Sequence, residues 1–101
     1  FHKGIDITAP TGTSIKAAAQ GRVVLADWFS TYGMCVEIDH GDGIHTRYGH
    51  LSKILVREGQ MVYRGDVIGQ VGSTGRSVAP HLHYEVHLGG NPVNPLNYIL
   101  R

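Results

Sequence analysis

The sequence predicts a small all-β domain, an antiparallel sheet or sandwich. Fourteen of the 101 residues are glycine, about twice the usual ~7%. The glycines separate short runs that are rich in β-branched residues, and such punctuated runs are typical of strands. No segment shows the apolar period of a long helix. Together these observations indicate many short strands joined by tight turns.

Seven segments are predicted to be strands, because each is a β-branched or alternating run between two turn signals. In chain order they are Ser14–Ala18, Arg22–Trp28, Gly33–His40, Ile44–Gly49, Met61–Tyr63, Val67–Val71 and His81–Leu88. The segments 9–12, 41–43, 64–66, 72–75 and 89–92 are predicted turns, since their Gly, Pro, Asn and Asp residues suit turn dihedrals. Gly12-Thr-Ser-Ile15 and Gly59-Gln-Met-Val62 begin alike, which suggests a duplicated, barrel-sandwich-like hybrid motif.

Composition and charge exclude several classes of function. Nine Lys+Arg against eight Asp+Glu leave a net charge of +1, too small to drive binding to a phosphate backbone, so no nucleic-acid partner is expected. Hydrophobic residues make up 42% without an apolar run near ~18 residues, so neither disorder nor a transmembrane segment is expected. Residues 1–101 are expected to form one domain excised from a longer chain, because Phe1 is neither Met nor part of a signal pattern.

Histidine is the outlier of the composition, with seven copies, and it both binds metals and transfers protons near neutral pH. Strict alternation in 81–88 places four apolar side chains on one face, Leu82, Tyr84, Val86 and Leu88. The other face carries His81, His83, Glu85 and His87. The first face is expected to be core and the second to carry chemistry. Glu85 is placed to orient a metal-bound imidazole, a contact that such ligands usually need.

A second set of metal donors, His2 and Asp6, lies near the start of the chain. Gly4 and the β-branched Ile5 and Ile7 argue against the helix that brings i,i+4 ligands together. Four extended residues span about 13 Å, whereas donor atoms on one tetrahedral zinc are roughly 3.4 Å apart. A bend at Gly4 is therefore expected. A His-Asp-His set that leaves one position for water is typical of catalytic zinc.

A further candidate, His50, follows the predicted strand Ile44–Gly49. It shares strand parity with Thr46 and Tyr48, and it is expected at the point where the strand gives way to a turn. Functional groups are commonly displayed at such positions. The single cysteine, Cys35, is expected to be a small buried apolar filler. The scattered arginines are expected on the solvated surface; they are Arg47, Arg57, Arg64 and Arg76.

Three separated motifs in this order resemble the lysostaphin-like (LytM-type) zinc endopeptidases that cleave peptidoglycan peptides. They are the H-x-x-x-D segment His2–Gly12, the segment Tyr48–Ser52, and Gly72–Val86 with its H-x-H pair. The resemblance runs from His2 to about Tyr98. It implies an all-β peptidase domain, peptidoglycan as substrate, a location in the cell envelope, periplasmic or extracellular, and further domains of the parent chain as partners. The Gly72–Ser77 segment is most similar to Gram-negative members, which favour D,D-cross-links.

The resemblance also implies roles for five residues. His2, Asp6 and His83 would hold Zn²⁺, which lowers the pKa of a bound water toward ~7 and polarises a carbonyl. His81 would be the general base, a role worth ~10²–10⁴-fold in rate. His50 would donate a hydrogen bond to the oxyanion or orient the water. The roles of His81 and His50 can be exchanged.

Two alternatives stay open on the sequence alone. The first is a non-catalytic domain of the same type that binds or activates a murein hydrolase; such domains typically lose zinc ligands. The second is a biotinyl- or lipoyl-type carrier domain, which shares the glycine punctuation but needs a lysine at a hairpin tip. The lysines Lys3, Lys16 and Lys53 do not lie in such a turn motif. In the lysostaphin-like endopeptidases that the chain resembles, a pair of small residues commonly stands at the position of Val78-Ala79, before the Pro-His of the H-x-H motif. This departure predicts a different shape of the groove near the site.

Overall fold

The computed structural model describes residues 4–95, which form nine strands of one antiparallel sheet. The strands are β1 (Ile5–Thr8), β2 (Ser14–Lys16), β3 (Gly21–Trp28), β4 (Met34–Asp39), β5 (Ile44–Ile54), β6 (Met61–Val62), β7 (Val67–Val71), β8 (His81–Leu88) and β9 (Asn91–Val93). A single 3-10 turn, Ser30–Tyr32, lies between β3 and β4, and residues 4–95 contain no α-helix. The all-β antiparallel prediction is confirmed. No helix in this part of the chain is long and apolar enough to cross a bilayer.

All seven predicted strands are present, and the structure contains two further strands, β1 and β9, that were not predicted. β1 follows the predicted bend at Gly4 and pairs with β8. β9 begins at Asn91, inside a segment predicted to be a turn; only Gly89 and Gly90 adopt the positive φ of a turn there. Pro92 is tolerated in β9 because, within residues 4–95, the strand pairs with β8 alone, so the missing N–H interrupts no second ladder there.

β8 occupies the centre of the region that carries the predicted site. On one side it pairs with β1, which sets Asp6 opposite His83 and Thr8 opposite His81. On the other side it pairs with β5, which sets Gly49 opposite His83. Residues from both ends of the chain are thus held around one strand by ladder hydrogen bonds.

A β-bulge at His50 lets β5 change neighbours. Tyr48 pairs with Val36 and Leu51 with Met34, so two residues of β5 lie opposite one residue of β4. His50 adopts φ +64, in the left-handed region that residues other than glycine rarely occupy. Before the bulge β5 pairs with β8, and after it β5 pairs with β7. The prediction of a turn at His50 is therefore wrong: the strand continues to Ile54.

The core lies on the face of β8 that carries Tyr84 and Val86. The alternation also predicted Leu82 and Leu88 as core, but Leu82 is only partly buried and Leu88, at the end of the strand, is 41% exposed. The buried cluster of the core is Ile15, Ala17, Val23, Val36, Ile38, Tyr48, Leu51, Val62, Ile68, Val71, Tyr84 and Val86. The similar segments that begin at Gly12 and Gly59 each place one apolar residue in this cluster, Ile15 and Val62. Cys35 is fully buried, as expected for a filler, and burial is the main reason that its thiol pKa rises to about 12.

Two loops lock together beside the sheet and form a wall of the site. Gly33 ends the 3-10 turn and Gly75 lies in the loop before β8, both with positive φ. A Cβ on either glycine would lie 2.4 Å from backbone atoms of the other loop. The N–H of Arg76 donates to the carbonyl oxygen of Thr31 at 2.8 Å. Only glycine permits this approach, because the contact is backbone to backbone.

Gly75→Ala should destabilise the fold far more than Gly59→Ala. Both glycines have positive φ, so alanine at either position costs about 1–2 kcal/mol in backbone strain. Nothing lies within 4 Å of a Cβ at Gly59, whereas a Cβ at Gly75 overlaps backbone and adds roughly 1–3 kcal/mol. Urea denaturation of both variants measures the difference. Equal losses in the free energy of unfolding would contradict the close packing of the two loops.

Candidate active site

Four of the five predicted site residues come together on one face of the sheet. Asp6 Oδ1 lies 2.7 Å from His83 Nδ1 and 3.5 Å from His81 Nε2. The His50 ring centroid is 4.8 Å from that of His81 and 6.0 Å from that of His83. His2 lies outside the described residues. The three sequence motifs thus supply one compact cluster.

The bulge decides on which face His50 lies. Unbroken alternation would place His50 with Tyr48, which is in the core against Tyr84. The left-handed conformation of His50 instead places its ring against His81 and His83. The side chain is 8% exposed, and burial is the main reason that its pKa is lowered. His50 is therefore neutral near pH 7.

Backbone carbonyls set the tautomers of the two candidate catalytic histidines. His50 Nδ1 lies 2.7 Å from the carbonyl oxygen of Thr74, and His81 Nδ1 lies 2.8 Å from that of Ala79. A carbonyl oxygen only accepts, so each neutral ring carries its hydrogen on Nδ1. Each Nε2 then carries a lone pair. Both rings are able to accept a proton, and neither donates from Nε2 until it has done so.

Glu85 is a fully buried carboxylate behind His83. It accepts hydrogen bonds from His83 Nε2 and His87 Nε2, both at 2.7 Å, and from the hydroxyl of Tyr32 at 2.9 Å. Burial by itself would raise the pKa of Glu85, but these hydrogen bonds outweigh it and lower the pKa to about 2. The carboxylate is thus charged at neutral pH. It fixes the hydrogen of neutral His83 on Nε2 and leaves the Nδ1 lone pair facing Asp6.

Asp6 and His83 therefore present two acceptor atoms to each other, an arrangement that requires a proton or a cation between them. Without a metal, the hydrogen bond to Glu85, followed by that to Asp6, raises the pKa of His83. A carboxylate oxygen and an imidazole nitrogen are also common ligands of zinc. The two atoms are 2.7 Å apart, against roughly 3.4 Å on a tetrahedral zinc. The side chain of Asp6 is 63% exposed and has room to adjust.

The described residues supply only part of the predicted set of zinc ligands. Among residues 4–95 no group of three His, Cys, Asp or Glu side chains is arranged to hold a metal. Asp6 and His83 are two donors, and the predicted third, His2, precedes the described range by two residues. His81 and His50 do not complete the set through Nδ1, since carbonyls occupy that atom in both rings.

Sequence reasoning missed Arg47, which was expected on the solvated surface. Its side chain is only 16% exposed, and its Nη2 lies 2.7 Å from Glu37 and Nη1 3.7 Å from Glu85. The guanidinium also lies over the ring of Tyr32, 5.0 Å from the centroid. Strand register explains these contacts, because Arg47 is directly opposite Glu37 on β4 and Glu85 on β8. No signal in the sequence pairs these residues, because the register between strands arises only in the folded sheet.

A cavity of about 250 Å³ opens beside these groups. Its lining residues are Thr31, Tyr32, His50, Arg76, His83 and Glu85. Tyr32 thus lines the groove, whereas Tyr48 belongs to the core. A larger groove of about 380 Å³ lies on the opposite face of β8 beside Leu82 and Tyr84. That groove is mainly apolar, and Asp6, His50, His81 and His83 are not among its lining residues.

Comparisons with known proteins give one consistent result. Residues 1–95 match the family model described as Peptidase family M23. The chain is 48% identical over 100 residues to the DD-carboxypeptidase/endopeptidase Mpg of Neisseria meningitidis, covering 99% of this chain and 23% of that protein. It is 42% identical over 99 residues to the murein hydrolase activator EnvC of Escherichia coli, covering 98% of this chain and 24% of EnvC. The chain thus spans about a quarter of the length of these curated relatives.

Solved structures agree with the sequence comparison. The catalytic domain of lysostaphin from Staphylococcus simulans superposes with a TM-score of 0.91 at 35% identity, over 96% of this chain and 77% of that one. A zinc-containing peptidase from Vibrio cholerae superposes with a TM-score of 0.87 at 40% identity, over 91% of this chain and 28% of that one. Both values indicate the same fold with the same strand connections.

Glu85→Gln should disturb His83, whereas Glu37→Gln should not. An amide oxygen accepts less strongly than a carboxylate, and its NH₂ group opposes an imidazole N–H, so one buried donor loses its partner at roughly 1–3 kcal/mol. Glu37 contacts Arg47 and His45 instead. The ¹⁵N chemical shifts of the imidazoles report the tautomers, and urea denaturation reports stability. An unchanged His83 tautomer in Glu85→Gln would contradict the orienting contact.

Proposed function

The chain belongs to peptidase family M23, and from that membership we propose that it is a zinc-dependent endopeptidase that hydrolyses amide bonds in peptidoglycan stem peptides or cross-bridges. The observation that carries this proposal is the juxtaposition of the Asp6 carboxylate and the His83 Nδ1 lone pair beside two imidazoles with available Nε2 atoms. A relative named as a peptidoglycan DD-endopeptidase supports it, as does one named as a DD-carboxypeptidase/endopeptidase. So does the zinc-containing peptidase of the same fold.

His2, Asp6 and His83 would hold the zinc ion. When bound, zinc supplies Lewis acidity, which makes water more acidic and polarises a carbonyl. Glu85 keeps His83 in the tautomer that offers Nδ1, and Asp6 supplies negative charge on the exposed side. The chain thereby provides both neutral and anionic donors, which suits a divalent cation.

His81 is the proposed general base. Its Nε2 accepts a proton from the attacking water while Nδ1 stays hydrogen-bonded to the Ala79 carbonyl. Asp6 lies 3.5 Å from that Nε2 and stabilises the imidazolium that forms. The protonated ring can then donate to the leaving amine, so one residue serves both halves of the hydrolysis.

His50 is the proposed partner of His81 in the reaction. With Nδ1 committed to Thr74, its neutral ring orients a water or substrate N–H through Nε2. Donation to an oxyanion, the role expected from the resemblance, requires a second proton on this ring. Burial opposes that proton, and so does the charge of a protonated His81 at 4.8 Å. We therefore infer that His50 acts as an acceptor while His81 is protonated.

A non-catalytic activator is the second candidate, because EnvC is a similar relative with that name. The motif positions argue against it, since His2, Asp6 and the H-x-H pair are all present in this chain. The carrier-domain alternative has less support. Lys16 and Lys53 lie within β2 and β5 rather than at a hairpin tip. A location in the cell envelope and further domains in the parent chain are part of the same proposal.

Digestion of purified sacculi tests the function directly. Zinc-loaded protein should release soluble fragments whose masses identify the hydrolysed amide bond. An activator would release none by itself but would raise the rate of an added murein hydrolase. That second outcome would replace the peptidase proposal with the activator.

His83→Ala and Asp6→Ala should each abolish stoichiometric zinc binding and turnover together. His81→Ala should retain zinc and lose roughly 10²–10⁴-fold in turnover. His45→Ala is the matched control, because His45 hydrogen-bonds Glu37 and has no hydrogen bond to Asp6, His50, His81 or His83. Metal analysis beside a sacculus turbidity assay separates the cases. Loss of zinc in the His81 variant with retention in the His83 variant would reverse the ligand assignment.

Chelators should inhibit, and zinc affinity should fall as the pH is lowered. A proton competes with the metal for His83 Nδ1, and the hydrogen bond to Glu85 raises the pKa of His83 above its ordinary 6.5. As the pH is lowered, zinc affinity should therefore begin to fall while the pH is still above 6.5. Below the pKa of His83 it should decrease about tenfold or more per pH unit. Titration with a zinc indicator at several pH values measures this slope. Full activity in excess chelator, with zinc removal verified, is incompatible with the proposal.

A further inference from the structure

The cavity beside the candidate active site is lined by one arginine, Arg76, that has no role in the proposed mechanism. Arg76 lines the cavity together with His50 and His83. The volume of about 250 Å³ equals that of roughly eight liquid waters at ~30 Å³ each. This space suits one substrate residue, adjacent to the bond that the site would hydrolyse.

The backbone that carries Arg76 is fixed in place. Its N–H donates to the Thr31 carbonyl, and the preceding Gly75 is packed against Gly33. Thr74 joins the same loop to β4 and β5, because its hydroxyl accepts from the Met34 N–H at 3.1 Å and donates to the Leu51 carbonyl at 2.6 Å. The loop therefore presents Arg76 from a rigid support, although the side chain itself is exposed.

Arg76 differs in its contacts from Arg47, the other arginine near the site. Arg47 is bonded to Glu37 and Tyr32 and lies near Glu85. Within the described part of the chain, the Arg76 guanidinium has no carboxylate or other acceptor partner. The two carboxylates of the site are already engaged, Asp6 with His83 and His81, and Glu85 with His83, His87 and Tyr32.

We propose that Arg76 forms a carboxylate-binding subsite, which makes the chain selective for peptides that carry a free carboxylate next to the scissile amide. The subsite deepens the proposed peptidase function and presupposes a peptide in this groove. A planar guanidinium binds a carboxylate through two parallel N–H···O bonds, and these charge-assisted bonds are stronger than bonds between neutral groups. In a peptide the carboxylate belongs either to a side chain or to the C-terminus.

Three synthetic cross-linked stem peptides distinguish these sources. The first carries a free side-chain carboxylate next to the scissile amide and an amidated C-terminus. The second carries a free C-terminal carboxylate and an amidated side chain, and both groups are amidated in the third. Their binding to zinc-loaded protein is measured by calorimetry at low salt, and their hydrolysis by kcat/KM.

Arg76→Gln should weaken binding of one or both carboxylate peptides up to about fivefold, the upper end of the range for an exposed ion pair. Binding of the doubly amidated peptide should stay unchanged. Arg64→Gln is the matched control, since this exposed arginine lines the groove on the opposite face of β8. The peptide that is weakened identifies the source of the carboxylate.

Equal affinity of the wild type for all three peptides, including no binding of any, overturns the subsite. An equal loss for all three peptides in Arg76→Gln also overturns it. Binding that depends on the carboxylate and on Arg76, without hydrolysis of any peptide, supports the subsite and instead overturns the proposed peptidase function. The two failures are therefore distinguishable.

Discussion

The negative charge of Glu85, placed where solvent does not reach, is the constraint on which the site depends. A buried carboxylate is costly unless hydrogen bonds compensate for its lost hydration. Here three donors from two histidines and a tyrosine surround it. Because those donors must point inward, the opposite edge of the His83 ring points outward with its lone pair. The interior of the sheet thereby determines which atom the surface offers to a cation.

Backbone constraints place the remaining groups around that atom. Antiparallel pairing sets Asp6 opposite His83, and the bulge at His50 carries a third imidazole to the same face. The close contact of Gly33 with Gly75 joins two loops into a wall that holds Arg76. A change in any of these backbone features would move a functional side chain without altering its chemistry. Such supporting geometry is what lets short loops and strands hold a site accurately.

The same fold occurs in relatives named as peptidases and in one named as an activator. Function in this family therefore depends on the donors and groove residues that a given chain presents, since a fold by itself does not specify chemistry. In this chain the candidate zinc ligand His83 is hydrogen-bonded to Glu85, and Glu85 in turn accepts a hydrogen bond from Tyr32. Arg76, whose guanidinium has no acceptor partner among the described residues, adds the proposed preference for peptides that carry a free carboxylate.

Sequence alone determined the all-β class, seven strands and the candidate residues Asp6, His81 and His83, because alternation and motif spacing are properties of the chain in one dimension. It could not place His50, since one residue with positive φ reverses the face that parity assigns. It also could not find the contacts of Arg47, because these depend on which residues of β4 and β8 lie opposite it. Register, bulges and backbone contact between distant loops arise only when strands pair. The tertiary structure therefore decided the tautomers, the buried charge network and the shape of the groove.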